Sequence, residues 1–238
     1  MNHLRHFLSI TVCALAASGA AVAQNGFPWQ NETLRYSMNW QSGLSVGEGS
    51  LTAHQGDSGW DFAATVNAGV PGFAVNDRIH SSAVQGLCST VLERDFSHAG
   101  KKTSEKTTFD QKAGTAERVT LFPDGGTKPG RSTFDIPGCA RDALTFLYYA
   151  RVELGQGRMV PQQKVYFGSA YDVKMEYTGA QNIVVDKKPT VTDQLVVTVR
   201  GPKSDFHFEV FYARDAARTP LQIKIPLSMG TFTLDLVH

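Results

Sequence analysis

The sequence predicts a mainly β fold: one strongly curved antiparallel sheet, open or partly closed into a barrel-like shape, with a single helix packed in its concave side or mouth. Three observations carry that expectation. Short segments of period-two alternation recur along the chain, beginning with Leu34, Tyr36, Met38 and Trp40 against Arg35, Ser37, Asn39 and Gln41. Gly, Pro, Asp or Asn separates most of these segments, as turns between antiparallel neighbours require. One stretch alone has helical spacing, so the long crossover helices that parallel strands need are missing.

In chain order, the first strand reaches the turn Gly43-Leu44-Ser45-Val46-Gly47, and residues 48–53 return as its partner. Trp60, Phe62, Ala64 and Val66 repeat the alternation after Gly56-Asp57-Ser58-Gly59, which gives three strands in meander order. Further strands are expected over 75–84, 89–97, 102–111, 115–122, 163–167, 171–179, 181–185, 194–200, 206–213, 220–225 and 230–237. The Gly-rich stretch 125–130 reads as a loop joining two parts of one sheet.

Residues 142–152 break the pattern with a helix that Asp142 caps, preceded by Pro137-Gly138 and stopped by Gly155 and Gly157. Ala143, Leu147 and Ala150 share one face and Phe146 and Tyr149 a neighbouring one, so most of its girth is apolar and needs cover on more than one side. Asp142 and Arg151 lie on opposite faces of that helix, so Arg151 is expected to tie the last turn to a strand carboxylate or to backbone carbonyls.

Arg5 is the only formal charge in residues 1–24; the apolar run 7–17 follows it, and small residues end in Ala21-Val22-Ala23. That is the pattern of a secretory signal peptide cleaved after Ala23, and the run is shorter than the roughly 20 residues a membrane helix needs. The expectation is a signal peptide over 1–23 and one β-rich domain over 24–238, exported to the periplasm, with extracellular or surface attachment as the less favoured destination. The chain holds 23 Lys+Arg and 22 Asp+Glu, so without Arg5 the charges balance, which argues against nucleic acid or an anionic membrane as the main partner. No later stretch is apolar for long enough to span a bilayer. An oxidising compartment would let Cys88 and Cys139 pair; two separate small core residues are the other reading.

Several stretches together carry a family likeness: Glu32-Thr33-Leu34-Arg35-Tyr36, then 43–49, then Asn76-Asp77-Arg78-Ile79, then the long run 137–151, and finally Thr219-Pro220-Leu221 and Gly230. In these the chain resembles the exported bacterial proteins grouped as domain-of-unknown-function family 3108. The resemblance implies a periplasmic or surface β-rich protein with a single helix and brings no catalytic residue with it. Cys88 and Cys139 fall outside that pattern, so their pairing rests on the compartment alone.

The chemistry-bearing motifs are sparse. Residues 43–47 match G-x-S-x-G, but the following residues 48–53 are strand-like, whereas a nucleophile elbow needs a helix there to build an oxyanion hole. A hairpin explains both glycines through their tolerance of positive φ. His54, His80, His98, His207 and His238 stand isolated, with no H-E-x-x-H and no Cys-x-x-Cys, so no metal ligand set and no cofactor is expected. Asp77-Arg78, Lys101, Lys102, Lys106, Lys187 and Lys188 read as turn and edge charges. Gly26-Phe27-Pro28-Trp29 places two aromatics ahead of the first strand, free to dock on the sheet or engage a partner.

Phe146, Tyr149, Tyr171, Tyr177 and Phe208 are the candidates for lining an apolar ligand site under the helix, drawn from a set that also holds Tyr148, Phe206 and Phe211; ordinary core is the competing explanation. The expected function is a non-enzymatic envelope module that binds an apolar small molecule or a partner protein. An envelope hydrolase using Ser45 or a strand-borne Asp/His pair is the first alternative, and an assembly factor pairing through an exposed sheet edge is the second.

Overall fold

The computed structural model describes residues 30–70, 73–122, 129–202, 205–227 and 230–237; residues 1–23, expected as a signal peptide, residues 26–29, most of the stretch 125–130 and His238 lie outside them. Its strands are β1 (Asn31–Trp40), β2 (Ser45–Gln55), β3 (Gly59–Val70), β4 (Phe73–Val84), β5 (Ser89–His98), β6 (Lys101–Asp110), β7 (Thr115–Phe122) and β8 (Gly130–Asp135). After the two-residue β9 (Arg141–Asp142) comes the helix α1 (Ala143–Gly155). The chain then runs through β10 (Gln163–Tyr166), β11 (Ala170–Val185), β12 (Lys188–Arg200), β13 (Asp205–Ala213), β14 (Pro220–Leu227) and β15 (Gly230–Val237).

All fifteen strands form one sheet in the order β8-β7-β6-β5-β4-β3-β2-β1-β15-β14-β13-β12-β11-β10-β9. Every neighbouring pair is antiparallel except β9 with β10. β1 pairs with β2 on one side and β15 on the other, Tyr36 opposite both Gly49 and Leu236, so two meanders leave the middle in opposite directions.

This order forces curvature. Fifteen strands laid flat would be roughly 67 Å wide at about 4.8 Å per spacing. Yet β8 and β9, at opposite edges, are consecutive in the chain and separated only by residues 136–140, which reach about 20 Å fully extended. The sheet must therefore curl until its edges approach, which is the strongly curved, unclosed, barrel-like sheet the alternation predicts.

The seam between the edges is made of clasps instead of a full strand ladder. Ser89 N donates to Ala140 O (3.0 Å). The Gln111 amide spans the gap, donating to Ser89 O (2.6 Å) and Ala140 O (3.0 Å) and accepting from Ala140 N (3.0 Å). Arg94 Nη1 donates to Phe167 O (3.3 Å), Arg118 donates to Gly168 O, and the Cys88–Cys139 disulfide crosses the same seam.

α1 lies in the concave side, with core on two sides. Phe146, Ala150 and Leu154 pack with Val165, Val173, Leu195, Val197 and Val210 of β10–β13. Leu144 and Tyr148 pack with Ala53, Trp60, Phe62 and Ala83 of β2–β4, and the Phe62 and Tyr148 rings stack at 4.3 Å. The apolar girth of this helix is thus used on both sides: it fills the inside of the curl.

Several expected elements differ in detail. The segments 171–179 and 181–185 are one strand, β11, bent by a register shift between Tyr177 and Gly179. β12 starts at Lys188 instead of 194, and β8 and β9 appear where no strand was expected. Lys101, Lys102 and Lys106 are not edge charges: β6 lies inside the sheet, and Lys106 Nζ donates to Glu93 on β5 (2.7 Å). Asp77 and Arg78 sit within β4, paired with Phe96 and Asp95, so they are not turn residues either.

Candidate functional site

The two ends of α1 are anchored by buried polar side chains, Asp142 at one and Arg151 at the other. Asp142 precedes α1 in extended conformation and is 0 % exposed. Its Oδ1 accepts from Leu144 N (2.9 Å) and Thr145 N (3.1 Å). Its Oδ2 accepts from Ser81 Oγ (2.5 Å), Ser89 Oγ (2.6 Å) and Thr145 Oγ1 (3.0 Å). Burial pushes this carboxyl above the usual carboxylate range, against the pull of the hydroxyl and amide donors. A fully enclosed carboxyl with five protein donors is an N-cap that also bolts the helix to β4 and β5; it offers no face to a substrate.

Arg151, near the other end, is equally buried. Its two Nη atoms donate to the Glu32 carboxylate of β1 at 2.7 and 2.8 Å, and Nε donates to Ala217 O (3.1 Å) and Arg218 O (3.2 Å). Both expected partners, a strand carboxylate and backbone carbonyls, are therefore engaged. Tyr36 OH donates to Pro220 O beside them (2.8 Å). Burial raises the phenols of Tyr36, Tyr148 and Tyr212 above the ordinary range, Tyr212 to about 12.

Of the aromatic candidates, Phe146 is buried within the cluster between α1 and β10–β13, and Tyr149, Tyr171 and Phe208 pack partly exposed against it. Tyr177 does not join them: it is 51 % exposed and its hydroxyl donates to Asp193 Oδ1 (3.4 Å). It keeps register opposite Leu195, the last pair before the shift between Tyr177 and Gly179, and reaches along β12 to Asp193 instead of joining the cluster. Phe206, opposite Val199 on β12, is 42 % exposed and stacks with Phe208, extending the same aromatic surface.

Arg141, which sequence reasoning passed over, stands at the margin of this surface. It pairs with Val165 on β10, which in turn pairs with Tyr171 on β11. Its guanidinium lies 3.6 Å from the Tyr149 ring centroid and donates to Gln163 Oε1 (3.1 Å). A single arginine ahead of a cap carries no periodic signal, so only the fold reveals its position.

The hydrolytic motifs do not assemble. Ser45 sits exposed at the start of β2, opposite Asn39, in a strand–turn–strand hairpin. Only Gly43 has positive φ (84°); Gly47 is small for another reason, since an added Cβ would lie 2.3 Å from Asn67 O and 2.5 Å from Ala68 Cα on β3. His98 Nε2 contacts Asp77 at 2.8 Å and His80 approaches Asp61 at 3.5 Å, but in the latter group Ser82 Oγ donates to Asp61, not to a histidine. That order is not the hydroxyl–imidazole–carboxylate relay of a hydrolytic triad. Among the described residues no three of His, Cys, Asp and Glu gather as metal ligands, and no helix is long and apolar enough to cross a membrane.

The fold has a solved counterpart in the β-barrel-like protein of domain of unknown function DUF1849 from Brucella abortus, at 9 % identity and a TM-score of 0.57, covering 87 % of this chain and 95 % of that one. No curated protein matches the chain. The sequence pattern described as protein of unknown function DUF3108 matches residues 35–237, and the chain belongs to that family.

Proposed function

We propose that this protein is an exported, non-enzymatic envelope module that binds an apolar ligand on the aromatic surface beside α1. The observation that carries this reading is the gathering of Tyr149, Tyr171 and Phe208, each partly exposed, on the concave face next to buried Phe146. Aromatic side chains left half wet on an inner face supply contact area at little further conformational cost. The Cys88–Cys139 disulfide supports an oxidising destination, in keeping with the signal-like residues 1–23. Native mass spectrometry of protein purified from its own envelope tests the reading. An added mass released by organic extraction and absent from Tyr171→Ser/Phe208→Ser protein is expected, whereas bare polypeptide that also fails to enhance the fluorescence of N-phenyl-1-naphthylamine overturns it.

A second reading has its own support. β8 forms one edge of the sheet over Gly130–Asp135 and offers its outer backbone groups to an added strand of a partner protein. Crosslinking from position 133 that captures a defined envelope protein would favour it over small-molecule binding.

A further inference from the structure

We propose that the ligand of the aromatic surface is a single-chain amphiphile with a carboxylate headgroup, and that Arg141 receives the headgroup; this rests on the binding reading above. Directly opposed residues of paired strands share a face, so Arg141, Val165 and Tyr171 form a row across β9, β10 and β11. Val165 belongs to the core against α1, which places the whole row on the concave side. The guanidinium covers the Tyr149 ring and so stands at the end of the aromatic surface.

Its donors are poorly used. Arginine has five N–H groups in a planar fork. Here Nη1 donates to Gln163 Oε1 (3.1 Å) and, at 3.4 Å, to Cys139 O. Nη2 meets the Cys139 sulfur (3.2 Å), a weak acceptor, and Nε is buried with no acceptor. Among the described residues Arg141 has no ion pair, and the neighbouring carboxylates are committed elsewhere: Asp142 to its five donors, Glu153 to Arg158 at 2.7 and 2.8 Å. Burial also draws the Arg141 pKa below the usual arginine value, a loss of water that the nearby Tyr149 and Glu153 only partly offset.

Nε, which has no acceptor, and Nη2, held only by a sulfur, form the edge of the fork that matches a carboxylate in two parallel hydrogen bonds. A small swing off the Cys139 sulfur presents that edge to the shelf formed by Tyr149, Tyr171, Phe206 and Phe208. One positive charge calls for one negative charge, and an unbranched tail can lie along the row of rings while the headgroup stays at Arg141. A neutral amphiphile would fill the shelf and leave the cation unpaired; a cationic one would add repulsion.

The test uses the full mature chain with its disulfide intact and reads displacement of N-phenyl-1-naphthylamine fluorescence by three ligands of one dodecyl tail: the carboxylate, its methyl ester and the trimethylammonium. Wild-type protein is expected to bind the carboxylate about tenfold more tightly than the ester, with the ammonium weakest. Arg141→Gln should lose that preference while binding the ester unchanged, and Arg141→Lys should keep part of it. Equal binding of carboxylate and ester by wild-type protein, or a loss in Arg141→Gln equal for both ligands, overturns the headgroup assignment while apolar binding stands. Failure of all three to displace the probe overturns the binding reading and this inference together. The wild-type order alone decides the matter should the Gln variant not fold.

Discussion

Replacing Glu32 by Gln keeps the shape of the side chain and removes its charge, which leaves the Arg151 guanidinium, 0 % exposed, facing a neutral amide where a carboxylate at 2.7 Å stood. Breaking one side of a buried pair typically costs about 3–5 kcal/mol, because the remaining charge loses its partner without regaining water. Glu32 is itself only 12 % exposed, so solvent compensates little. In a domain of this size each kcal/mol moves the midpoint by about 2–4 °C, giving an expected fall in Tm of about 6–20 °C. Arg151→Met should cost a similar amount, since it strips donors from Glu32 and from the Ala217 and Arg218 carbonyls together. The decisive measurement is the double variant Glu32→Gln/Arg151→Met in urea unfolding followed by far-UV circular dichroism at pH 7. With neither charge present, its loss should undercut the sum of the single losses by about 2 kcal/mol. Single losses under about 1 kcal/mol, or strict additivity of the two changes, would refute the claim that this pair fastens the helix to β1.

Replacing both Cys88 and Cys139 by Ser should lower stability by about 4 kcal/mol, the chain-entropy value for their separation of 51 residues; a urea midpoint unchanged from that of the oxidised protein counts against a closed disulfide in solution. Asp142→Asn tests the buried cap through pH: a carboxyl whose pKa is raised by folding stabilises the protein most when protonated, and that contribution is lost as pH rises from about 4 through the shifted pKa. The wild type should therefore gain on the Asn variant as pH falls from 8 to 4, and a widening deficit in acid refutes the upward shift. Gly47→Ala should cost about 1–3 kcal/mol through its clash with Asn67 O and Ala68 Cα, read by thermal melting against Gly49→Ala, where the closest approach is a milder 3.1 Å.

The helix was legible in the sequence because its signals are local: Asp142 caps, the glycines stop, and apolar residues around the girth announce a buried rod. β7 and β15 carry alternation strong enough that their limits, 115–122 and 230–237, coincide with expectation. β8 and the first half of β12 did not stand out because Gly-Arg-Ser-Thr-Phe-Asp and Lys-Pro-Thr-Val-Thr-Asp are polar and punctuated. They become strands because a neighbour imposes register, Thr115 on Asp135 and Val185 on Lys188. Among the aromatic candidates, Tyr149, Tyr171 and Phe208 pack against one cluster with Phe146, whereas Tyr177 stays exposed near the bend of β11, a distinction that composition and alternation do not carry. Arg141 and Gln163 meet only through the parallel β9–β10 pairing, a contact between segments 22 residues apart with no sequence mark of its own.

The pairing of β1 with β15 has a consequence for how this chain tolerates cutting. In most meanders the first and last strands are outer rails, and losing one narrows the sheet while sparing the rest. Here shortening the chain by β15 would unzip the fold along its centre line, exposing β1 and β14 as two raw rims and leaving Tyr36 without Leu236 opposite it. β15 is thus the keystone: without it the two half-sheets are joined by the helix, the disulfide and the scattered side-chain clasps of the seam, with no strand ladder between them.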